Sequence, residues 1–424
     1  MVTIITIRAK RWGYIYPDKQ NECAMKKTVI IGGNFAGFTA ALELKRKGGQ
    51  QHEVLVIDKS PLFTFIPSLI WVPFKRRDMK DITIRKDEIF KKKGVGFMLA
   101  TALEVDPDNN LVKTNKGDVY YDELVIATGP KVKYDVAPGV REHAHYVGTP
   151  NGAMKIRKTL EEFAKNPGPV VIGATQSAGC MGAAYEFLFN FEQWLREKKI
   201  RKKVDLHWVT PETFLGHFGI DGMTGAKTML ETFMKMFNIH FHTEVAVDKM
   251  DSEKVYLSDG TELPYKFSMM MPPFVGVDFV TNSPKLQATA AGYLPVGEDY
   301  RHPAYPNVWA AGIAVDVPLP FTPGKVPFGS PKTGYPSDET GKIVAENIVR
   351  VHKGKTELKK KAWGKIPGLC VMDAGKKEVW IISNHLFKPR SFAIMVPNVI
   401  YDFGKVLFEK YFMWKTKHGY SYLP

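Results

Sequence analysis

Two kinds of chemistry can be read from residue types and spacing alone. The first is phosphate binding. Gly32, Gly33 and Gly37 cluster in the stretch TVIIGGNFAGFTAALEL (28–44), and such a turn lets backbone N–H groups at a helix start approach a pyrophosphate. Asp58 closes the next apolar run (54–57), where a dinucleotide fold places the acid that accepts a hydrogen bond from a ribose. One departure is visible: the second glycine of a G-x-G-x-x-G reading is replaced by Asn34. The second chemistry is that of thiols. The chain has 3 cysteines, Cys23, Cys180 and Cys370, spaced too widely for a disulfide framework or a tetrahedral zinc site, so their role is either reactive or merely structural.

These residues need elements to hold them. Val29, Ile30 and Ile31 suit a buried parallel strand, and the residues after Gly37 read as a helix. VYYDELVIATGP (119–130) reads as one strand leading to Ala127, Thr128 and Gly129, the exit from a first nucleotide-binding half. A second strand-turn-helix, PVVIGATQSAGCMGAAYEFLFNF (169–191), has lost the glycine fingerprint between Gly173 and Gly179, and Cys180 follows directly. The next strand ends at Thr210 without an acid, and Glu212 comes too late. The architecture of a pyridine-nucleotide domain survives while its binding chemistry is lost, which argues against NADH as electron donor. His240 and His242 alternate on one strand, with no further ligand pattern for a metal. YPNVWAAGIAVD (305–316) returns to a buried strand, where Gly312 lets backbone approach a cofactor and Asp316 stands where an acid can meet ribityl hydroxyls.

Composition sets the outer bounds. With 424 residues and 44% apolar residues the chain can form two or three domains with a sizeable core. Its net charge of +15 suits nucleic acid, an anionic membrane surface or small anionic substrates. It carries no nucleic-acid-binding signature, which makes nucleic acid the least favoured of the three. No apolar window is long enough for a transmembrane helix. Residues 1–25 read as an N-terminal extension, with Met25 an alternative start. The aromatic loop LFTFIPSLIWVPFKRR (62–77) is either a hydrophobic plug or the wall of a flat redox ring. Near the C-terminus Val399, Ile400, Phe403, Val406, Leu407, Tyr411 and Trp414 recur at helical spacing opposite Asp402, Lys405 and Glu409, with Lys410, Lys415 and Lys417 flanking, the pattern of an interfacial helix.

Over residues 26–424 the chain resembles sulfide:quinone oxidoreductases, membrane-associated flavoproteins with two dinucleotide-binding domains. The pieces that carry the resemblance are Phe63-Thr64-Phe65-Ile66-Pro67-Ser68, the Cys180 loop with Tyr185-Glu186-Phe187, Leu215-Gly216-His217-Phe218-Gly219, Pro331-Lys332-Thr333-Gly334-Tyr335, Cys370-Val371-Met372-Asp373-Ala374-Gly375 and the terminal helix around Gly404-Lys405-Val406. The resemblance implies an α/β fold with two Rossmann-like domains (glutathione-reductase-like) plus a C-terminal membrane-associating region. The FAD domain would comprise 26–135 and 300–350, the degenerate second domain 136–299 and the membrane and quinone region 351–424.

The same resemblance implies FAD-dependent oxidation of hydrogen sulfide to sulfur or polysulfide, with electrons passed to membrane quinone by a peripheral membrane protein seated on anionic lipid. Cys370 takes the flavin-proximal role, Cys180 holds the growing sulfur chain, and Glu186 and His217 handle protons. Cofactor contacts fall on Gly32, Asn34, Phe35, Ala36, Asp58 and Lys59 in the first half, then on Pro67, Thr128, Gly129, Gly312 and Lys332. Phe387, Phe392, Tyr401 and Tyr411 are the candidates for stacking on the quinone. Many members carry a third cysteine where this chain has Gly148, which implies a non-covalent flavin. The rivals are a type II NADH:quinone oxidoreductase, the flavoprotein subunit of a cytochrome-linked sulfide dehydrogenase, and a flavin-bearing redox sensor.

Overall fold

The computed structural model describes residues 25–375, 377–398 and 403–424; Cys23, the rest of the extension before Met25, and Val399, Ile400, Tyr401 and Asp402 lie outside them. In chain order the elements that position the site are β1 (Lys26–Ile31), α1 (Phe35–Gly48), β2 (His52–Asp58), β3 (Gly96–Leu99), β4 (Glu123–Ile126), β5 (Val170–Ala174), α2 (Met181–Glu197), β6 (Leu206–Val209), β7 (His240–His242), β8 (Phe267–Met271), β9 (Val308–Ala310), α3 (Gly334–His352), β10 (Gly368–Asp373), β11 (Glu378–Ser383), β12 (Ala393–Asn398) and α4 (Phe403–His418).

Two parallel sheets carry the fold. The first has the order β9-β4-β1-β2-β3 and the second β7-β6-β5-β8. β1 lies between two parallel partners, Val29 opposite Leu55 on one side and Leu124 on the other. Its inner residues are therefore buried, which is why a β-branched run stands there. The strand expected over 119–126 is two: Gly117–Tyr120 belongs to an antiparallel meander and Glu123–Ile126 to the parallel sheet. Asp122 between them is drawn aside to accept a 2.7 Å hydrogen bond from the Lys27 N–H. α1 and α3 approach closely because a Cβ at Gly341 would overlap the Ala36 carbonyl.

The third sheet, β10-β11-β12, is antiparallel. Cys370, Ile381 and Met395 share a face by register, as do Met372 and Val379. Ile381, Met395, Met372 and Val379 are buried. On the other face stand Leu369, Ile382 and Ile394, then Val371, Trp380 and Val396. Leu369, Ile394 and Val396 are more than 40% exposed. Apart from the buried Asp373–Glu378 end, this outward face is built of apolar side chains, which inverts the usual alternation of a solvated sheet. α4 is inverted in the same sense: Lys405, Glu409, Lys415 and Thr416 point inward, while Phe403 (64% exposed), Leu407 (56%) and Trp414 (47%) point out.

Candidate functional site

The turn from β1 into α1 is a cradle. Gly32 has φ +94° and donates its N–H to the Ile57 carbonyl at 2.9 Å. A Cβ on Gly32 would sit 2.7 Å from the Ala127 carbonyl oxygen, and one on Gly37 would overlap the carbonyl of Gly32. Asn34 has φ −98° and ψ −169°, extended backbone that any residue adopts. The missing second glycine is thus no strain. The Asn34 side chain makes no helix cap, so the N–H groups of the first turn, from Phe35 and Ala36 onward, have no partner within the helix. Its Oδ1 is buried and without a hydrogen bond among the described residues. Asp58 accepts from the Gly33 N–H (2.7 Å), Lys86 Nζ (2.7 Å) and the Ser60 N–H (2.9 Å). The acid read as a ribose acceptor therefore also clamps the glycine turn to β2.

Other candidate contacts gather around this cradle. Gly312 has φ +68°, and a Cβ there would lie 2.9 Å from that of Ala36, so the loop after β9 touches the start of α1. Lys332 is buried, donates to the Val315 carbonyl at 2.8 Å and sits over the Tyr293 ring. Burial pushes its pKa down to about 7, against the pull of Asp316. Gly129 has open space where a side chain would be, Thr128 and Pro67 are half-buried and Lys59 is exposed. Phe63 and Phe65 of the aromatic loop pack against Phe35 and Phe412, so the loop is a plug between α1 and α4.

The two cysteines come from distant parts of the chain. Cys180 directly precedes α2, at the end of a loop pinned by hydrogen bonds from the Ser177 N–H to the Pro327 carbonyl (2.6 Å) and from the Gly329 N–H to the Ala178 carbonyl (2.8 Å). Cys370 lies in β10 opposite Ile381. Both are free thiols. They are near enough that negative charge on Cys180 opposes ionisation of Cys370. Burial pushes both thiols up, Cys370 to about 12. Cys370 nevertheless keeps an accessible side.

Glu186, on the helix that Cys180 starts, is buried and forms an ion pair with Lys405 of α4. The Asp373 N–H, at the end of the Cys370 strand, also donates to Glu186 at 3.3 Å. Around this pair lies a network the sequence reading missed. Trp71 Nε1 and Arg76 donate to Asp373 at 2.6 and 2.7 Å. Ser68 and Arg77 donate to Glu409 at 2.5 and 2.8 Å. The Lys405 N–H donates to Glu378 at 2.7 Å. Burial, with Arg76 adding repulsion, pushes the Lys405 ammonium down to about 7. The i,i+4 pair Lys405 and Glu409 was visible in sequence, but its polar stripe reads there as the solvent face.

His217 stands in a different neighbourhood. It is buried among Phe214, Phe321 and Phe328, its Nδ1 has no partner among the described residues, and Asp221 lies 3.8 Å from its Nε2. Burial holds its pKa below the usual value. Of the four quinone candidates, the three described ones are not brought together. Phe387 lines a cavity of about 370 Å³ with Trp363, Pro318, Pro320 and His385. Phe392 is 47% exposed, Tyr411 stacks on Trp414 and donates to the Pro424 carbonyl, and Tyr401 lies outside the described residues. Spacing along a helix does not say which way each ring turns, and here the charged stripe of α4 takes the inner side.

The second parallel sheet carries a buried carboxylate of its own. Glu212 is wholly buried, accepts from Tyr185 Oη (2.8 Å), Thr210 Oγ1 (2.9 Å) and the Phe218 N–H (2.7 Å), and is pushed up to about 7 by burial. It braces the His217 turn and offers nothing to a ribose.

Residues 26–323 match the pyridine nucleotide-disulphide oxidoreductase family. The chain is 32% identical over 400 residues to the sulfide-quinone reductase of Aquifex aeolicus, covering 93% of this chain and 92% of that one. The chain belongs to the sulfide:quinone oxidoreductase family. The crystal structure of the Aquifex aeolicus enzyme superposes with a TM-score of 0.89 over 93% of this chain and 92% of that one. The mitochondrial sulfide:quinone oxidoreductase of Dictyostelium discoideum is 26% identical over 335 residues, 74% of this chain and 71% of its own length. NDH2 of Plasmodium falciparum, at 14% identity, covering 93% of this chain and 97% of that one with a TM-score of 0.72, shares the fold.

Membership in this family implies FAD, and the residues present fit it. The Gly32 cradle, the uncapped start of α1, the orphaned Asn34 Oδ1 and Lys332 at the Gly312 loop are each suited to part of that cofactor. Because any Cβ on Gly37 collides with rigid backbone, Gly37→Ala should weaken FAD retention by roughly tenfold or more. Asn34→Gly should keep the cofactor. Flavin absorbance after gel filtration measures both.

Proposed function

We propose that this protein oxidises hydrogen sulfide with FAD and passes the electron pair to a membrane quinone. The observation that carries this reading is the gathering of Cys180 and Cys370, 190 residues apart in number (370 − 180), into one electrostatically coupled site on a FAD-type fold. In the oxidised pair, hydrosulfide attacks the Cys180 sulfur, forming a persulfide there and releasing Cys370 as a thiolate. FAD, when bound, takes up the electron pair from the sulfur centre and delivers it to quinone. The thiols, held up by burial, favour a bridged resting state over a free thiolate. A non-covalent flavin is supported by Gly148, which offers no nucleophilic side chain and is covered by the Tyr146 ring.

Glu186 and Lys405 are proposed to handle the protons that quinone reduction takes up, with His217 and Asp221 as a second proton-holding pair. Quinone is assigned to the cavity beside Phe387 and Trp363, whose apolar and aromatic walls are joined by Glu298, Asp316, Lys365 and Lys388. Its tail would reach lipid along the outward faces of β10-β11-β12 and α4. No helix among the described residues is long and apolar enough to cross a membrane. The exposed Phe403, Leu407 and Trp414, flanked by exposed Lys410 and Lys417, suit a protein lying on an anionic bilayer. NADH as donor is disfavoured by the inward-turned Glu212.

Anaerobic sulfide should bleach the flavin and NADH should not; Cys180→Ser and Cys370→Ser should each keep FAD but lose sulfide:quinone turnover by orders of magnitude. Near-wild-type turnover in either variant removes that cysteine from the mechanism.

With Lys405 as a proton donor of lowered pKa, its charged form is depleted as pH rises. Quinone reduction should therefore slow as pH climbs through about 7, and the limb should vanish in the Glu186→Gln/Lys405→Met double variant, which leaves no uncompensated buried charge. A pH profile identical to wild type assigns the protons elsewhere.

Replacing Phe403, Leu407 and Trp414 together by Ser should keep FAD and abolish cosedimentation with anionic liposomes; undiminished cosedimentation places the membrane face on another surface.

A further inference from the structure

We propose that Lys86 is a positioning residue for the adenosine half of the cofactor, holding the Asp58 carboxylate so that one of its oxygens stays free for a ribose hydroxyl; this rests on the FAD reading of the cradle. Lys86 arrives from outside the two parallel sheets. The strands Leu62–Thr64 and Thr83–Arg85 pair antiparallel, with Leu62 opposite Arg85, and Lys86 follows as the first residue of the helix Lys86–Lys92. Its N–H donates to the Pro61 carbonyl at 3.0 Å, so the backbone at this point is tied to the start of the hairpin. The Lys86 side chain is 2% exposed, while that of Asp58 keeps 13%. Its stem lies along the glycine turn, where a Cβ on Gly33 would sit 3.4 Å from Lys86 Cε. The adjacent carboxylate of Asp87 is taken by Arg85 at 2.5 Å. Asp58 is the one ion-pair partner of Lys86 among the described residues, and a lysine is almost never sealed in this way without one.

The hydrogen bonds on Asp58 are divided unevenly between its oxygens. Oδ2 accepts from both the Gly33 N–H and Lys86 Nζ, each at 2.7 Å, while Oδ1 accepts from the Ser60 N–H at 2.9 Å. An ionised carboxylate has about four acceptor positions, so Oδ2 is filled and Oδ1 keeps one open. A dinucleotide fold brings the ribose to this acid. Lys86 fixes the rotation of the carboxylate, because turning Oδ2 away from the ammonium would leave a buried cation unpaired. It also neutralises an acid bonded to the same turn that receives the pyrophosphate, where a bare carboxylate would repel the phosphates. Both effects act on the adenosine half of FAD, and they should be little felt by FMN, which ends at the first phosphate.

The test equilibrates FAD-loaded wild type, Lys86→Met, Asp58→Asn and the double variant with mixtures of FAD and FMN, and measures the two bound flavins by chromatography after gel filtration. Lys86→Met keeps the bulk of the stem and loses the charge, and should lower the preference for FAD over FMN about tenfold or more. Asp58→Asn should lower it as well. Adding Lys86→Met to Asp58→Asn should lower it no further, since the lysine acts through the acid; this comparison carries the test if Lys86→Met alone, with its uncompensated buried carboxylate, fails to fold. A lysine that only supports the fold would reduce total flavin while leaving the FMN-to-FAD ratio unchanged. A wild-type ratio in Lys86→Met or in Asp58→Asn at every FMN excess, or a further loss in the double variant, overturns the proposal. If wild type itself holds no FAD, the cofactor reading fails and takes this one with it; FAD-loaded wild type with unaltered ratios in the variants sinks this one alone.

Discussion

The buried ion pair between Glu186 and Lys405 is the contact on which the arrangement of the site depends. Two charges withdrawn from water are costly unless their remaining hydrogen-bonding capacity is met. Here the Asp373 N–H serves Glu186, and the Lys405 backbone is held by Glu378. The pair joins three elements at once. Glu186 belongs to the helix that Cys180 starts, Asp373 to the strand that carries Cys370, and Lys405 to α4. Satisfying one carboxylate therefore brings both cysteine-bearing segments to a common anchor and fixes the rotation of α4 about its axis.

That rotation has a second consequence. With Lys405, Glu409 and Lys415 turned to partners inside, the apolar stripe of α4 has nowhere to go but outward. The sheet β10-β11-β12 shows the same inversion: Met372, Val379, Ile381 and Met395 are packed on one face, while Leu369, Ile394 and Val396 stand open on the other. An exposed apolar surface on both elements is the cost of the polar anchor beneath, and it is offset where such a surface meets lipid. In the second parallel sheet, too, a buried carboxylate holds a turn in place. Gly173 remains because a Cβ would overlap the Val209 carbonyl, and Glu212 has turned inward to brace the His217 turn.

The sequence by itself determined the fold class and the cofactor cradle, because these rest on local rules. A β-branched run, a glycine needed at positive φ and an acid at the end of the next strand act within a few tens of residues, and each stands where the spacing puts it. It also placed Cys180 at the start of a helix and Glu186 within that helix. Only the tertiary structure decided the direction in which side chains turn and which distant residues meet. Asn34 needs no glycine because its backbone is extended, a dihedral that composition does not encode. Lys405 and Glu409 read as a solvent face until their partners, Glu186 and Arg77, arrive from far along the chain. The described aromatic candidates for quinone, Phe387, Phe392 and Tyr411, stand apart for the same reason. Periodicity gives one stripe against the other on α4, but which stripe is buried was settled by charges elsewhere in the chain that had to be paired.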